Sequence, residues 1–390
     1  MMKKFVLYIL CFSAVNTAIG QTLLGQDDEN RVISSAVPFL MISPDARASG
    51  MGDVGVATSP DAYSVFWNPA KVVYMDNSDG LAMSYTPWLS KIVNDMFITY
   101  LSGYHKITKE QAVTLGLRYF DLGDFNFTDA QGNNIGEFAP REFSLDAGYS
   151  RMLTEKLSIG IVIKYIRSNL TGNFSAGGND ARPGSTAASD VGIYYRTDLT
   201  AGGKQSQLAL GAHISNIGGK ITYSDEFSKE FLPANLRLGG TYTMELDPLN
   251  RMSFSLDLNK LLVPTPPIRD DNGQIIRGKD PNRSMLSGVF GSFSDAPDGF
   301  NEEIKEFTLS VGTEYWFNNS FAGRAGYFTE SDMKGGRKYF SLGLGFRYQV
   351  FGIDFAYMMP KREHPLAETL RFTLVFNFEN ATEEDSVVED

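Results

Sequence analysis

The segment from Leu370 to Phe378 alternates apolar and polar side chains at every position. Because successive side chains of a strand point to opposite faces, this period of two predicts a strand with one apolar and one polar face. Residues 340–348 and 351–359 carry the same pattern. A soluble sheet would have to cover its apolar face with a second layer. A closed ring of such strands is instead apolar outside and polar inside, as in membrane-spanning barrels.

Similar runs, bounded by turn residues, recur along most of the chain, and we count about fourteen of them. Most have the length of about ten residues that a tilted membrane strand requires. A few alternate less regularly, residues 189–198 among them, so that about twelve to about sixteen strands fit the pattern. The predicted strands are 80–88, 95–105, 110–121, 141–152, 156–169, 189–198, 205–217, 234–245, 250–262, 305–317, 320–330, 338–348, 350–359 and 369–379.

The segments that connect these strands alternate in length. One set is short, for example 153–155 and 318–319, and the other contains long members such as 122–140 and 263–304. Short turns on one side and long loops on the other are typical of outer-membrane barrels, with the short turns in the periplasm. In a soluble β-sandwich, short and long connections are not expected to alternate along the chain. The sequence therefore predicts an all-β fold, a transmembrane antiparallel β-barrel of about 14 strands in the outer membrane.

Residues 1–20 have the parts of a secretory signal peptide. Lys3 and Lys4 form a positive start, residues 5–15 are apolar, and Gly20 is a small residue before the expected cleavage site. The apolar run is shorter than the about 20 residues that a membrane-spanning helix needs. Cleavage near Gly20 would remove Cys11, the one cysteine of the chain, so we expect no disulfide in the exported protein.

The remaining chain divides into three predicted parts. Residues 21–77 form an N-terminal plug segment with short helices, residues 78–379 form the barrel, and residues 380–390 form an acidic periplasmic tail. The formal net charge of −11 at pH 7 argues against nucleic acid as a partner. Outer-membrane lipid is a partner of any such barrel.

The N-terminal segment carries helix signals in place of strand signals. Ser43, Pro44 and Asp45 combine a predicted N-cap, a proline in the first turn and an early acidic residue. Residues 50–52 end this predicted helix in a turn, and residues 59–62 repeat the start signal. We expect two short helices that fill the periplasmic mouth of the barrel as a plug.

Residues 39–58, followed by residues 66–71, resemble the N-terminal signature of the PorV (LptO) family. Members of this family are outer-membrane barrels of the type IX secretion system. A shorter form of the pattern is similar to that of the wider FadL-like superfamily of barrels, and the fuller string favours PorV. The positions that carry the resemblance are Pro44, Asp45, Arg47, Gly50, Met51, Gly52, Trp67, Asn68 and Pro69.

The resemblance implies a function in protein secretion. PorV-like proteins bind the C-terminal signal domains of secreted cargo at the outer-membrane translocon (SprA/Sov-like). They pass the cargo to a cell-surface attachment complex, whose sortase-like PorU removes the signal and links the cargo to anionic lipopolysaccharide. The resemblance thus implies an adaptor that has no catalytic residues, cofactor or metal. Its cargo-binding residues are unknown, and they are expected on the extracellular loops.

A FadL-like transporter of hydrophobic solutes is the alternative that the superfamily resemblance leaves open. A transporter of this kind should have an apolar funnel in its outer loops. Loops 122–140 and 170–188 are rich in Gly, Asn and Asp, and loop 263–304 is long and polar. We therefore favour protein contacts at these loops.

A lipid A deacylase is a third hypothesis, and it depends on His213 and Ser215. Two residues apart on one strand, they share a face, as a proton relay requires. The apolar register of Leu210 and Ile214 turns this pair toward the lumen, away from lipid. Asp270 to Gly273 could suggest calcium, but no glutamate follows at the required spacing, so we expect a turn.

Charged side chains at other positions of the same register are also predicted to face the lumen, because a charge on the lipid side is costly. A lumen stiffened by ion pairs and a pathway for solutes are both compatible with this set. The predicted inward-facing residues are Arg118, Asp146, Lys164, Arg196, Arg237, Asp257, Glu314, Arg324, Arg347, Asp354 and Arg371.

Overall fold

The computed structural model describes residues 31–89, 95–128, 131–132, 134–170, 175–176, 179–180, 182–223, 229–361 and 369–378. The predicted signal peptide, residues 21–30 of the predicted plug and the predicted acidic tail lie outside these residues. Among the described residues, no helix is long and apolar enough to cross a membrane.

Fourteen strands of the described chain form one closed antiparallel barrel in which each strand pairs with its neighbour in sequence. The ring closes where the last strand pairs with the first, with Asp79 opposite Phe378 and Tyr85 opposite Phe372. The strands are β1 Asp79–Pro87, β2 Phe97–Thr108, β3 Gln111–Asp121, β4 Arg141–Thr154, β5 Leu157–Asn169, β6 Gly184–Ala201, β7 Lys204–Gly218, β8 Asn235–Asp247, β9 Asn250–Leu261, β10 Phe307–Phe317, β11 Phe321–Thr329, β12 Lys338–Tyr348, β13 Phe351–Pro360 and β14 Leu370–Phe378.

The predicted fold class is confirmed, and the largest difference concerns β6. The sequence predicted a strand at 189–198, whereas β6 extends over Gly184–Ala201. Its pairing with β7 shifts register between Ser189 and Val191. Such a bulge interrupts the alternation of side chains, which explains why this strand looked short and irregular in the sequence.

The outer wall is apolar and the inner wall is polar, as the alternation predicted. Leu344 on β12 is 66% exposed, whereas Asp354, on the adjacent strand, is buried inside the ring. Exposed leucine, isoleucine and phenylalanine side chains recur on most strands of the wall. This surface is suited to lipid acyl chains.

Short turns and long loops lie at opposite ends of the barrel. Residues 155–156 and 202–203 are short turns, which we assign to the periplasmic end, and residues 262–306 form the longest loop at the outer end. Antiparallel hairpins occur in the outer loops, namely Phe125–Thr128 with Asn134–Phe138, Ser175–Ala176 with Asn179–Asp180, and Ile268–Arg269 with Ile275–Arg277.

The described helices lie outside the barrel strands in sequence. Four are α-helices, namely α1 Ala46–Ser49, α2 Ser64–Trp67, α3 Met285–Gly291 and α4 Phe300–Lys305. Three are 3-10 helices, namely Pro38–Met41, Pro69–Tyr74 and Asp332–Lys334.

The helix starts predicted for the N-terminal segment are displaced. Asp45, and not Ser43, is the N-cap of α1, because its side chain accepts a hydrogen bond from the backbone N–H of Ala48. The second start signal, at residues 59–62, precedes α2, which begins at Ser64. Asn68 caps the following 3-10 helix by accepting a hydrogen bond from the N–H of Ala70.

Residues 31–77 run through the lumen from the outer end to the periplasmic end. At the outer end, the N–H of Arg31 donates to the carbonyl of Met333, in the loop between β11 and β12. At the other end, the chain enters β1 at Asp79. We expected the segment only in the periplasmic mouth of the barrel, whereas it extends along the whole length of the lumen.

Candidate functional site

The lumen is the first candidate site, because it brings together most of the residues that the sequence singled out. Of the charged residues predicted to face inward, Arg196 and Arg347 are partly exposed and the other nine are buried. Just over half of them contact backbone groups or side chains of residues 31–77, and the others contact residues of the wall; the first set is Arg118, Arg196, Arg237, Asp257, Glu314 and Arg371. The lumen charges therefore help to hold the N-terminal segment. This favours a lumen stiffened by ion pairs over a pathway for solutes.

Arg47 on α1 forms the centre of an ion network inside the barrel. Its Nε and Nη2 atoms lie 2.9 and 2.8 Å from the two carboxylate oxygens of Glu314 on β10. Arg324 on β11 lies 2.7 Å from Glu314 and 2.8 Å from Asp354 on β13. Arg347 on β12 adds a contact of 2.7 Å to Asp354. Four neighbouring strands are thus connected to the N-terminal segment by charge-assisted hydrogen bonds.

Asp45 joins two parts of the N-terminal segment. One carboxylate oxygen caps α1, and the other accepts a hydrogen bond of 2.7 Å from the indole N–H of Trp67 on α2. Arg237 on β8 stacks on Trp67 and on Phe66, with its guanidinium carbon 4.9 and 4.6 Å from the two ring centroids. These contacts fix α1 and α2 relative to each other and to the wall.

Asn68 and Pro69 lie against the wall at β5 and β6. The Asn68 amide donates to the carbonyl of Ile193 on β6 at 2.9 Å and to the carbonyl of Val56 at 3.1 Å. A methyl group on Gly192 would lie 2.2 Å from the Asn68 side-chain oxygen. The Asn-Pro pair of the motif therefore fits a wall position that only glycine leaves open.

Gly50, Met51 and Gly52 make the closest approach of the segment to the wall. A methyl group on Gly326 of β11 would lie 2.0 Å from the carbonyl carbon of Met51. Gly52 has a φ of +73°, which glycine adopts at no steric cost. Other inward-facing glycines that lie close to the segment are Gly160, Gly211, Gly239, Gly312 and Gly343.

Sequence reasoning missed Lys71, which helps to hold the segment in the lumen. Lys71 is buried, and its Nζ donates to the carbonyl of Gly55 at 2.6 Å and to the hydroxyl of Thr58 at 3.1 Å. Asp257 on β9, predicted to face inward, accepts hydrogen bonds from the N–H groups of Gly55 and Val56 at 2.7 and 3.0 Å. Of these residues, only Asp257 could be assigned to the lumen from the sequence, because the alternation of side chains along its strand places it on the inner face.

The outer end of the lumen contains a cavity of about 620 Å³. Aromatic side chains, among them Phe39, Trp88 and Phe120, line one part of it, and Glu330 and Arg337 lie elsewhere in its lining. The cavity is therefore amphipathic, and it lies directly below the outer loops.

Loop 262–306 is fixed at the outer end by a second group of ion pairs. Lys334, in the loop between β11 and β12, lies 2.6 Å from Glu302 and 2.9 Å from Glu306. Lys260, at the end of β9, also contacts Glu306. Arg31 lies 3.0 Å from Glu302. The start of the described chain, two loops and one strand end therefore share one buried network.

Two carboxyl groups of this loop have shifted pKa values. A hydrogen bond from Arg31, with the positive charge of Arg277 nearby, holds the pKa of Asp298 below its usual range. Burial raises the pKa of Asp295, although the backbone N–H of Thr265 and the charge of Arg283 oppose the shift. The Arg31–Asp298 contact is therefore stabilising at neutral pH and is lost as the pH falls through the pKa of Asp298.

His213 and Ser215 face the inside of the barrel wall and are buried, as the register predicted. His213 lies 3.6 Å from Asp190 on β6, which Lys164 on β5 contacts at 2.7 Å. Within the described residues, no hydrogen bond joins His213 to Ser215. The pair is thus directed away from the lipid surface, on which a deacylase would have to act.

Replacing His213 by alanine should leave the acylation of lipid A unchanged, because the imidazole contacts buried groups of the wall and not bilayer lipid. Mass spectrometry of lipid A from cells that express the variant measures this. His105→Ala, at an exposed position, is the matched control. A loss of deacylated lipid A in His213→Ala alone would contradict this assignment.

Residues 270–273 form the predicted turn. The side chain of Asp270 accepts hydrogen bonds from the N–H groups of Asn272 and Gln274, and Gly273 has a φ of +79°. Within the described part of the chain, no group of three His, Cys, Asp or Glu side chains is placed to hold a metal ion.

The closed ring of strands, its apolar outer wall and the N-terminal segment in its lumen define an outer-membrane β-barrel. The family model described as type IX secretion system protein PorV matches residues 25–268, which is more than half of the chain. The chain therefore belongs to the PorV family.

Solved structures that are similar to this chain include two described as toluene transporters and one described as a FadL homologue. The toluene transporter TbuX of Ralstonia pickettii has 11% identity and a TM-score of 0.48, over 86% of this chain and 98% of that chain. The toluene transporter TodX of Pseudomonas putida has 12% identity and a TM-score of 0.48, over 84% and 95%. A Pseudomonas aeruginosa FadL homologue has 10% identity and a TM-score of 0.45, over 90% and 100%. No curated protein shows significant similarity to the sequence.

Proposed function

We propose that this barrel is a cargo-binding component of the type IX secretion system. It binds the C-terminal signal domains of secreted proteins at its outer end, receives them from the outer-membrane translocon and delivers them to the PorU-containing attachment complex. The observation that carries the proposal is membership of the PorV family over residues 25–268. In this proposal the protein acts as an adaptor and performs no chemistry.

The filled lumen supports an adaptor over a channel. Residues 31–77 are held by buried hydrogen bonds and ion pairs from several sides of the ring, including Glu314, Asp257 and Arg371. Breaking a buried ion pair on one side typically costs about 3–5 kcal/mol. Movement of this segment for each transported solute would have to break several such contacts.

The outer end supports a binding surface for protein. Loop 262–306 is folded into a hairpin and two helices, and Lys260 and Lys334 fix it through Glu302 and Glu306. A surface that is ordered before its partner arrives binds with a smaller loss of conformational entropy.

A photocrosslinking experiment in intact cells tests the proposal. A photoreactive phenylalanine analogue is placed at Ile276, which is 61% exposed in the outer hairpin, or at Leu249, which is 50% exposed in a periplasmic turn. We expect adducts with secreted proteins that still carry their C-terminal signal domains at position 276. Mass spectrometry of the isolated adducts identifies them.

Leu249 is a matched control, because it is an exposed aliphatic residue at the opposite end of the same barrel. Cargo adducts at position 249 and not at position 276 would show that cargo binds at the periplasmic end, and would contradict binding at the outer end. The absence of cargo adducts at both positions, with loss of fatty-acid uptake on deletion of the protein, would contradict the proposal and favour a transporter.

Transport of hydrophobic solutes is the second candidate function, and the outer cavity of about 620 Å³ is the observation that favours it. Its aromatic lining and its size fit a drug-sized apolar molecule. Binding of a fluorescent fatty acid to the purified barrel, followed by uptake into cells, distinguishes transport from simple occupancy of the cavity.

A further inference from the structure

Helix α3 lies on the outside of the barrel wall. Met285 and Val289, on one face of the helix, pack in a cluster with Ile214 and Leu236. Ile214 and Leu236 are paired residues of β7 and β8, and their strand neighbours His213 and Arg237 are buried inside the ring. Because side chains alternate across a strand, Ile214 and Leu236 belong to the outward-facing row.

Lys260 shows that α4 covers the same rim. It pairs in register with Leu236 on one side and with Phe307 on the other, which places it in the outward-facing row. Its side chain is nevertheless only 1% exposed, since Nζ contacts Glu303 and lies 5.6 Å from the ring of Phe293. The loop therefore folds down over the lipid-facing side of the strand ends.

The two helices present a second apolar face, which the described protein leaves uncovered. On α3 and the turn after it, Leu286, Phe290 and Phe293 are exposed at intervals of four and three residues. On α4, Phe300 and Ile304 are exposed at an interval of four. Phe290 is 73% exposed and Phe300 is 77% exposed, which is unusual for phenylalanine in contact with water.

A helix on the surface of a soluble protein turns its charged side chains to water and its apolar side chains to the protein. Helix α4 has the opposite arrangement. Glu302 and Glu303 are buried and point toward Lys334 and Lys260, whereas Phe300 and Ile304 point away from the protein. The same arrangement, with charges inside and apolar side chains outside, characterises the barrel wall. Phe307, the next residue of this row after Ile304, is the first outward-facing residue of β10.

We propose that the α3–α4 face, defined as Leu286, Phe290, Phe293, Phe300 and Ile304, is inserted in the outer leaflet of the outer membrane. The occupant is lipid, because the five exposed side chains of the face are all apolar and the face continues into the lipid-facing wall at Phe307. Lys305, exposed beside this face, is placed to reach the polar headgroups. The insertion fixes loop 262–306 relative to the membrane plane, independently of any function of that loop in cargo binding.

Quenching by brominated lipids tests the proposal. Single cysteines are introduced by Phe290→Cys or Phe300→Cys in a Cys11→Ser background and labelled with an environment-sensitive fluorophore. The purified full-length protein is reconstituted in vesicles whose phospholipids carry bromine on the acyl chains. Val311→Cys, on the lipid-facing wall of β10, is the positive control, and Asn272→Cys, in the polar hairpin turn of the same loop, is the negative control.

For both loop positions we expect at least about half of the quenching seen at Val311, because the apolar face of an interfacial helix reaches about 5–10 Å into the headgroup and acyl boundary. Asn272 should show no quenching. Quenching at 290 and 300 no greater than at 272, in protein with the circular dichroism of the intact barrel, would overturn the proposal. That result would mean that water or a protein partner covers this face.

Discussion

Replacing Gly326 by alanine is expected to displace the N-terminal segment from the lumen and open the barrel to ions. The added methyl group would lie 2.0 Å from the carbonyl carbon of Met51 and 2.2 Å from the backbone nitrogen of Gly52. Both are backbone atoms, which cannot rotate away as the end of a side chain can. Overpacking of this kind costs about 1–3 kcal/mol, which multiplies the population of a displaced segment about 5–150-fold.

Two measurements check this expectation. In planar lipid bilayers the variant should conduct more ions than the unaltered protein, and in detergent trypsin should cleave after Arg47 or Lys71, which are buried in the lumen. Gly323→Ala is the matched control, since it lies on the same strand and a methyl group there meets no other atom within 4 Å. Equal conductance and equal cleavage in the two variants would show that the Gly50–Gly52 turn does not fix the segment.

The strands and the direction of their side chains were largely predictable, because the period of two is a local property of the chain. Arg324 and Asp354 could be assigned to the lumen from their strand neighbours alone. The partners of these residues could not, since Arg47 lies 267 positions before Glu314 in the sequence. Lys71 and Gly55 gave no local signal that they meet inside the barrel.

The helices of loop 262–306 were not predicted from the sequence, for a different reason. Its many Pro, Gly and Asp residues predicted a long, polar loop. The structure contains two short helices there, with exposed residues such as Leu286 and Phe290 one turn apart. That spacing was present in the sequence, but the glycines at 288 and 291 and the length of only two turns concealed it.

The second large effect is expected from Glu314→Gln, at the centre of the lumen network. The substitution keeps the shape of the side chain and removes the negative charge that Arg47 and Arg324 share, at 2.8 and 2.7 Å. Both guanidinium groups are buried, so they lose attraction that water cannot replace. Arg47 keeps Asp61 and Arg324 keeps Asp354 as partners. We therefore expect the free energy of unfolding, measured by urea in lipid vesicles with tryptophan fluorescence, to fall by about 1.5–3 kcal/mol, the range for a lost hydrogen bond to a charged group.

Asp79→Asn is the matched control, because it makes the same carboxylate-to-amide change in an exposed pair with His105 and should cost less than about 1 kcal/mol.

The double variant Arg47→Met with Glu314→Gln separates a specific pair from general damage to the lumen. Glu314→Gln alone leaves the buried Arg47 with only Asp61, at 2.9 Å, as a carboxylate partner, and the double variant removes this underpaired charge. The double variant should therefore be more stable than the sum of the two single effects requires. Strict additivity would mean that the pair does not couple the N-terminal segment to the wall, and that shape alone holds residues 31–77 in place.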